Sequence, residues 1–398
     1  MDRPRFASAL STILDTEAAE REVATELATR LAGRPAGLLV AFVTHHHHAR
    51  FDGLLDRLCE RVGAETAIGC TAEAVIGRGR EAEGDPGLTI FAAHLPETVV
   101  TPFHVKIVDP DADNPSFGGL PGLEGTTSNG ALLLGEAFTL PVEDLLEHLG
   151  GVAPDLPVIG GMASGGQGPN SDVLMTREGV VDEGGVGVVL SGATGLIPVV
   201  SQGCRPIGKA WVITRAKDNV IFELGGRPAF EALLETMGEA APHERELLQR
   251  APFVGLAVDA TKSTFDRGDF LVRGLLGVHP EDRSIVVADY VRRGQTVQFL
   301  ARDAASAGED LEHLLARGAH ASAPDADPGA LLFTCNGRGS HMFDEPHHDI
   351  TRLRRALHGE PQVAGFFAGG EIGPIGGRNH LHGFTASVAL FGPAAGIS

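Results

Sequence analysis

One Trp and one Tyr stand among 398 residues, and aromatic residues make up only 5% of the chain. That scarcity removes the side chains on which single-stranded nucleic acids stack. Cysteine is sparse too. Cys59, Cys70, Cys204 and Cys335 are far apart and form no Cys-x-x-Cys pair, which excludes a disulfide scaffold and a zinc ribbon. Positive charge is in deficit: 32 Lys and Arg face 52 Asp and Glu, for a formal net charge of −20. Such a surface repels phosphate backbones and anionic membranes, so neither nucleic acid nor membrane is expected as a partner. No run reaches about 18 uninterrupted apolar residues, so no spanning helix is expected. Residues 1–12 lack a basic stretch followed by a long apolar one, which argues against a signal peptide and for a cytoplasmic protein.

Several chemical signatures are missing as well. The glycine-rich stretch Gly160–Gly168 has no Gly-Lys-Ser/Thr ending, and Gly337-x-Gly339 has no third glycine at dinucleotide spacing. There is no His-Glu-x-x-His and no Gly-x-Ser-x-Gly. The run His45–His48 has no carboxylate or cysteine at metal-site spacing, so no resident metal is expected.

What the chain does have is glycine, 53 residues of it, set in a recurring order. The length implies two domains, divided near residue 200 into 1–200 and 201–398. Val23, Leu27 and Leu31 recur at helical spacing, predicting a helix from Thr16 to Leu31 that Gly33-Arg34-Pro35 stops. Gly37–Val43 is a nearly continuous apolar run, the mark of a buried strand. A helix with Leu54, Leu55, Leu58 and Val62 on one face follows, and then a second strand enters Gly69. The order returns from Ala131 into Gly160-Gly161, and again from Ala330 into Gly369-Gly370. A further apolar strand follows each time, at Leu88–Ala93, Val186–Leu190 and Phe384–Phe391. Three copies of one β-α-β unit with a glycine-rich turn are therefore expected. Strand-like runs dominate 197–300, with one helix around Phe230–Met237, and 318–329 reads as a loop. The fold class expected is α/β: mixed sheets with covering helices, and duplicated β-α-β units in two domains.

Four stretches carry a likeness to a known family: Ala67–Gly77, Ser201–Gly208, Phe333–Phe343 and Gly365–Asn379, with Gly268–Arg273 in support. With these the chain resembles the FIST family, named for F-box and intracellular signal transduction proteins. The resemblance runs from about residue 25 to 392 and covers N-terminal and C-terminal FIST regions. It implies a stand-alone sensory protein that binds a small ligand, such as an amino acid, and acts through a separate signalling partner. The stretch before Gly37 is too short for an F-box. Some relatives bind haem and sense nitric oxide, so haem is an alternative. An uncharacterised enzyme is another, but no catalytic residue is assigned.

Small residues at strand ends leave room for a ligand against backbone N–H groups. The expected ligand residues are Cys70, Thr71 and Glu73 at the first turn, and Ser164 and Gly165 at the second. Glu371, Arg378 and Asn379 belong to the third. Cys204 and Arg205 precede Pro206. Asn336, Arg338, Ser340 and His341 form the densest polar cluster after a buried strand, where an Arg fork can hold a carboxylate or phosphate. The ligand expected is polar or anionic. On this reading Arg338→Ala abolishes binding and leaves the ligand-free melting temperature nearly unchanged.

Overall fold

The computed structural model describes residues 2–109, 115–123, 127–166, 168–169, 171–259, 261–262, 264–265, 268–319 and 327–394. Most of the loop expected over 318–329 and residue 167 of the second glycine-rich turn lie outside them. The fold is α/β, and the chain forms two compact units, 1–200 with 311–398 and 201–310. Space therefore groups the chain differently from two sequence halves: the segment after 310 rejoins the first unit, because its strands build a sheet with residues 75–82.

The larger unit holds the three expected copies. Each pairs a first and a second strand in parallel around a helix. These strands are Ala36–Thr44 with Ala64–Ala72, Gly130–Gly135 with Val158–Met162, and Gly329–Cys335 with Gln362–Ala368. The helices are Leu54–Val62, Val142–Val152 and His348–Ala356. A last strand returns antiparallel beside the first, at Leu88–His94, Gly185–Gly192 and Ala386–Pro393. Arg5–Ser11 and Thr194–Ser201 are edge strands of the first and third sheets, and in the second Thr98–Ile107 lies beside the two-residue edge strand Phe117–Gly118. Arg5–Ser11 and Thr98–Ile107 were not legible, because neither carries a continuous apolar run.

Period-two alternation explains why the first strands are apolar throughout. Leu38, Val40 and Phe42 point into one core; Leu39, Ala41 and Val43 point into another, beneath the helices Thr16–Leu31 and Leu54–Val62. Leu132 and Leu134, and likewise Leu331 and Phe333, join the core of Phe42, while Leu133 and Leu332 face their own helices. The three sheets thus share one apolar centre, where Phe42 stacks on Phe366 at 4.7 Å and meets Phe333 edge-on at 6.1 Å. Each such side chain, fully buried, contributes roughly 1.5–3 kcal/mol.

A hairpin follows each second strand and leaves its own sheet. Val75–Gly77 and Arg80–Ala82 extend the third sheet, Leu174–Thr176 and Gly179–Val181 the first, and Glu371–Ile375 and Arg378–His382 the second. The register is the same each time: Gly69 faces Met175, Gly160 faces Ile372 and Gly365 faces Ile76. These three glycines also oppose Ala41, Leu133 and Leu332 on the parallel strand. A Cβ on them would stand 2.6, 1.8 and 1.9 Å from those residues' carbonyl oxygens. The glycine cluster read as a ligand turn is therefore first a steric requirement of strand pairing.

The smaller unit is a closed ring of strands. The order runs Cys204–Lys217, Thr296–Arg302, Phe253–Ala257, Phe270–His279, Ser284–Val287 and Val220–Leu224, and the last pairs back onto the first. Closure leaves no open sheet edge among these strands. The helix Ala229–Glu239 fits the expected spacing, whereas Pro242–Arg250 is an addition that a single buried Leu248 did not signal.

Gly365→Ala should lower unfolding free energy by about 2–4 kcal/mol, as a backbone clash inside a core does. Denaturant unfolding compared with Gly274→Ala, where a Cβ meets nothing within 4 Å, checks this.

Candidate functional site

The three turns leaving the second strands converge at the carboxyl ends of their sheets, the place where ligands bind open α/β sheets. Ser164 N–H donates to Thr71 O at 3.2 Å and Gly369 N–H to Met162 O at 3.0 Å. Ser164 Oγ donates to Phe367 O, and Glu73 N–H donates to Ser164 Oγ at 2.9 Å. Gly165, at φ +93°, packs against Ala72 O and Glu73 N, an approach that a Cβ would block. Thr71, Glu73, Ser164 and Gly165 are thus brought together.

The shared register lets the three ends be compared position by position. Where the first sheet has Thr71, the second has Met162 and the third Phe367. Only the first end carries a hydroxyl there, and it is joined to a carboxylate and an imidazole. Thr71 Oγ1 donates to Asp172 Oδ1 at 2.9 Å, and Gly166 N–H donates to the same oxygen at 2.9 Å. His45 Nε2 lies 3.1 Å from it. A carboxylate only accepts, so Nε2 carries the proton, and in the neutral ring Nδ1 keeps the lone pair. Val173 N–H donates to Thr71 Oγ1 at 3.1 Å, which uses the hydroxyl's acceptor side. Asp172 is nearly enclosed, with a side chain 10% exposed, while His45 is 31% exposed. The His45 ring is set edge-on to Phe51 at 5.9 Å.

Sequence reasoning missed Asp172 and treated His45 only as part of a histidine run. Asp172 comes from the second copy's hairpin and His45 from the loop after the first copy's first strand, 127 residues apart. Among the described residues, no three His, Cys, Asp or Glu side chains form a metal-binding group.

The other expected ligand residues have different surroundings. Cys70 is fully enclosed in the central core, and burial pushes its thiol well above the ordinary value. Cys335 is pushed up to about 11, first by burial and then by the charge of Glu371. Both thiols therefore stay protonated at neutral pH, which makes them poor nucleophiles. Glu371 is buried and accepts from Thr385 N–H at 2.9 Å. Asn336 N–H donates to Ala368 O at 3.1 Å. Arg378 is exposed on an edge strand. Asn379 bridges Val158 N–H and Leu156 O, at the amino end of the second strand and so away from the turns. Ser340 caps on Glu83, and His341 is exposed in a short 3-10 turn. Cys204 and Arg205 belong to the smaller unit. Cys204 packs with Phe270 and Leu300, and Arg205 faces His243 at 3.0 Å and Glu244 at 3.4 Å.

Arg338 has a different task from the one its position suggests. It is completely buried, and its fork grips Asp349 through Nε–Oδ2 at 2.7 Å and Nη2–Oδ1 at 2.8 Å. Thr334 Oγ1 donates to Asp349 Oδ2 at 2.6 Å, and His348 Nδ1 lies 2.8 Å from Oδ1. Burial alone would raise the Asp349 carboxyl, but the Arg338 charge and these hydrogen bonds hold it well below the carboxylate range. A fork committed to a buried aspartate cannot also hold a ligand. Arg338→Ala should therefore unfold the protein more easily, by about 3–5 kcal/mol, because it strands a buried charge. A thermal or urea melt reads that loss directly, and an unchanged melting temperature would contradict the pairing.

The same cluster contains a proton-binding group. Glu81, on the hairpin of the first copy, accepts from Asp349 and Ile350 N–H, both at 3.0 Å, and so caps the third copy's helix. Its Oε2 is buried without a hydrogen-bond partner. Burial, then the charges of Asp349 and Glu83, push its carboxyl up to about 7. The folded chain thus keeps a proton there that the unfolded chain releases near its ordinary value. Stability from this group is full below about pH 4.5 and is lost as pH rises through about 7. Melting temperatures across that window should fall for the natural chain, and Glu81→Gln should remove that part of the slope.

Comparison with known proteins agrees with this architecture. The FIST N domain matches residues 37–227 and the FIST C domain residues 229–374. An uncharacterized protein of Mycobacterium tuberculosis is 39% identical over 387 residues, covering 97% of this chain and 99% of its own. An uncharacterized protein of Mycobacterium bovis is 38% identical, covering 97% and 98%. Among the described residues, no helix is long and apolar enough to cross a membrane. With both domains matched in order and relatives alike from end to end, the chain belongs to the FIST family of signal-transduction sensory proteins.

Proposed function

We propose that this chain is a sensory protein that reversibly binds a small polar ligand at the first sheet's carboxyl end. His45, Thr71 and Asp172 are the recognition group, beside Glu73, Ser164 and Gly165. A separate signalling protein receives the change. The observation that carries this reading is the asymmetry of Asp172. Its Oδ1 takes hydrogen bonds from Thr71 and Gly166 and faces His45 Nε2, while among the described residues its Oδ2 has no donor. One oxygen fixes the carboxylate and the other is left over, in a setting where the equivalent turns offer Met162 and Phe367.

Binding is favoured over catalysis because the cysteines near the turns are held as thiols, and Thr71 spends its hydroxyl on Asp172. FIST regions are sensory domains, which supports the same reading.

Native mass spectrometry of the purified protein tests it. A stoichiometric small mass that is retained by the natural chain and lost on His45→Ala is the expected result. A mass and a Soret band belonging to haem would replace the polar ligand by the cofactor alternative. A retained mass indifferent to His45 and Asp172 substitutions would move the site elsewhere.

A further inference from the structure

Hydrogen-bond bookkeeping at this end of the sheet narrows the ligand. The side-chain donors in the group are already spent inside the protein. Thr71 Oγ1–H, Gly166 N–H and His45 Nε2–H all go to Asp172 Oδ1. Ser164 Oγ–H goes to Phe367 O, Glu73 N–H to Ser164 Oγ, and Val173 N–H to Thr71 Oγ1. What remains among the side chains is acceptors. Among the described residues, Asp172 Oδ2 and Nδ1 of the neutral His45 ring have no hydrogen-bond partner, and the exposed Glu73 carboxylate lies beyond Gly165, whose own position is fixed against Glu73 N.

The charges agree with that count. Among the described residues, Asp172 has His45 as its ion-pair neighbour and no Lys or Arg. Nearly buried carboxylates without a full cationic partner are costly unless something positive reaches them. The net charge of −20 would concentrate cations and repel anions at such an opening. A metal ion would need more ligands than this group offers, since among the described residues no three metal-type side chains converge.

Resting on the binding end proposed above, we infer that the recognised part of the ligand is a protonated amine, donating to Asp172 Oδ2 and His45 Nδ1. An ammonium supplies donors only and a positive charge, which is the complement of acceptors only and a negative one. A carboxylate or phosphate at the same place would face the Asp172 carboxylate and the lone pair of the neutral His45 ring. The anionic alternative expected from the polar loop at Arg338 loses its basis for the same reason: that Arg is bound to Asp349.

Three probes of one size separate the cases: n-butylammonium chloride, n-butanol and sodium butyrate, each added to the full chain with ionic strength matched. At roughly millimolar concentration, the range for so small a fragment, only n-butylammonium should raise the melting temperature in a saturable way. Asp172→Asn keeps an oxygen for the three inner donors but turns an NH2 outward, so it should weaken amine binding about tenfold or more. Its circular dichroism should remain native. If that variant folds poorly, His45→Ala removes the second acceptor and leaves Asp172 in place; a loss of several-fold is expected. Saturable stabilisation by butyrate that depends on His45 would overturn the amine and leave the binding end intact. Absence of amine stabilisation, or amine binding equal in both variants, overturns the inference. A natural ligand that is retained and is also indifferent to both residues removes the binding end with it.

Discussion

Three backbone carbonyls set the terms for this fold. The oxygens of Ala41, Leu133 and Leu332 approach Gly69, Gly160 and Gly365 so closely that no Cβ can exist there. At these points the second strand of each copy lies flat against the first and also accepts a hairpin from a neighbouring copy. A side chain would push the strands apart and disturb the register on both sides. Because the same device occurs three times, the hairpins pass around the unit in a closed cycle, and no sheet is complete without a piece of another copy.

That exchange determines where polar groups can meet. Asp172 reaches Thr71 and His45 because the second copy's hairpin lies on the first sheet. Glu81 reaches the helix His348–Ala356 because the first copy's hairpin lies on the third. The two meetings differ in kind. Around Asp349 the carboxylate itself is satisfied from within, by Arg338, Thr334 and His348, while Glu81 ties the first copy's hairpin to the third copy's helix. Around Asp172 one oxygen is satisfied and the other is not, so the cluster is anchored on one side only. Identical strand geometry thus yields a joint in one place and the proposed recognition group in another, according to which side chains arrive.

Much of the architecture was legible locally. The helix Thr16–Leu31 is marked by apolar spacing and is closed by a left-handed Ala32 before Gly33. The first strands are marked by continuous apolar runs, because both of their faces are buried. Strands such as Arg5–Ser11 and Thr98–Ile107 escaped notice, since the latter is half exposed along its length and reads as polar. The candidate site was only partly legible. Glycines and small residues located the turns, and Thr71, Glu73, Ser164 and Gly165 do gather there. Asp172 gave no signal, because its meaning depends on a partner 101 residues away. Arg338 gave a misleading one, because a polar residue after a buried strand suits a ligand or a salt bridge equally well.

The sequence by itself determined the repeated β-α-β unit, the glycine at each turn and the family, since these rest on spacing and on steric limits that act within a few residues. Tertiary structure alone decided which sheet each hairpin joins, which arginine is locked away and which carboxylate keeps an open oxygen. Those outcomes depend on pairing between segments far apart in the chain. Hydrogen-bond satisfaction is a property of the assembled neighbourhood, and no residue carries it alone.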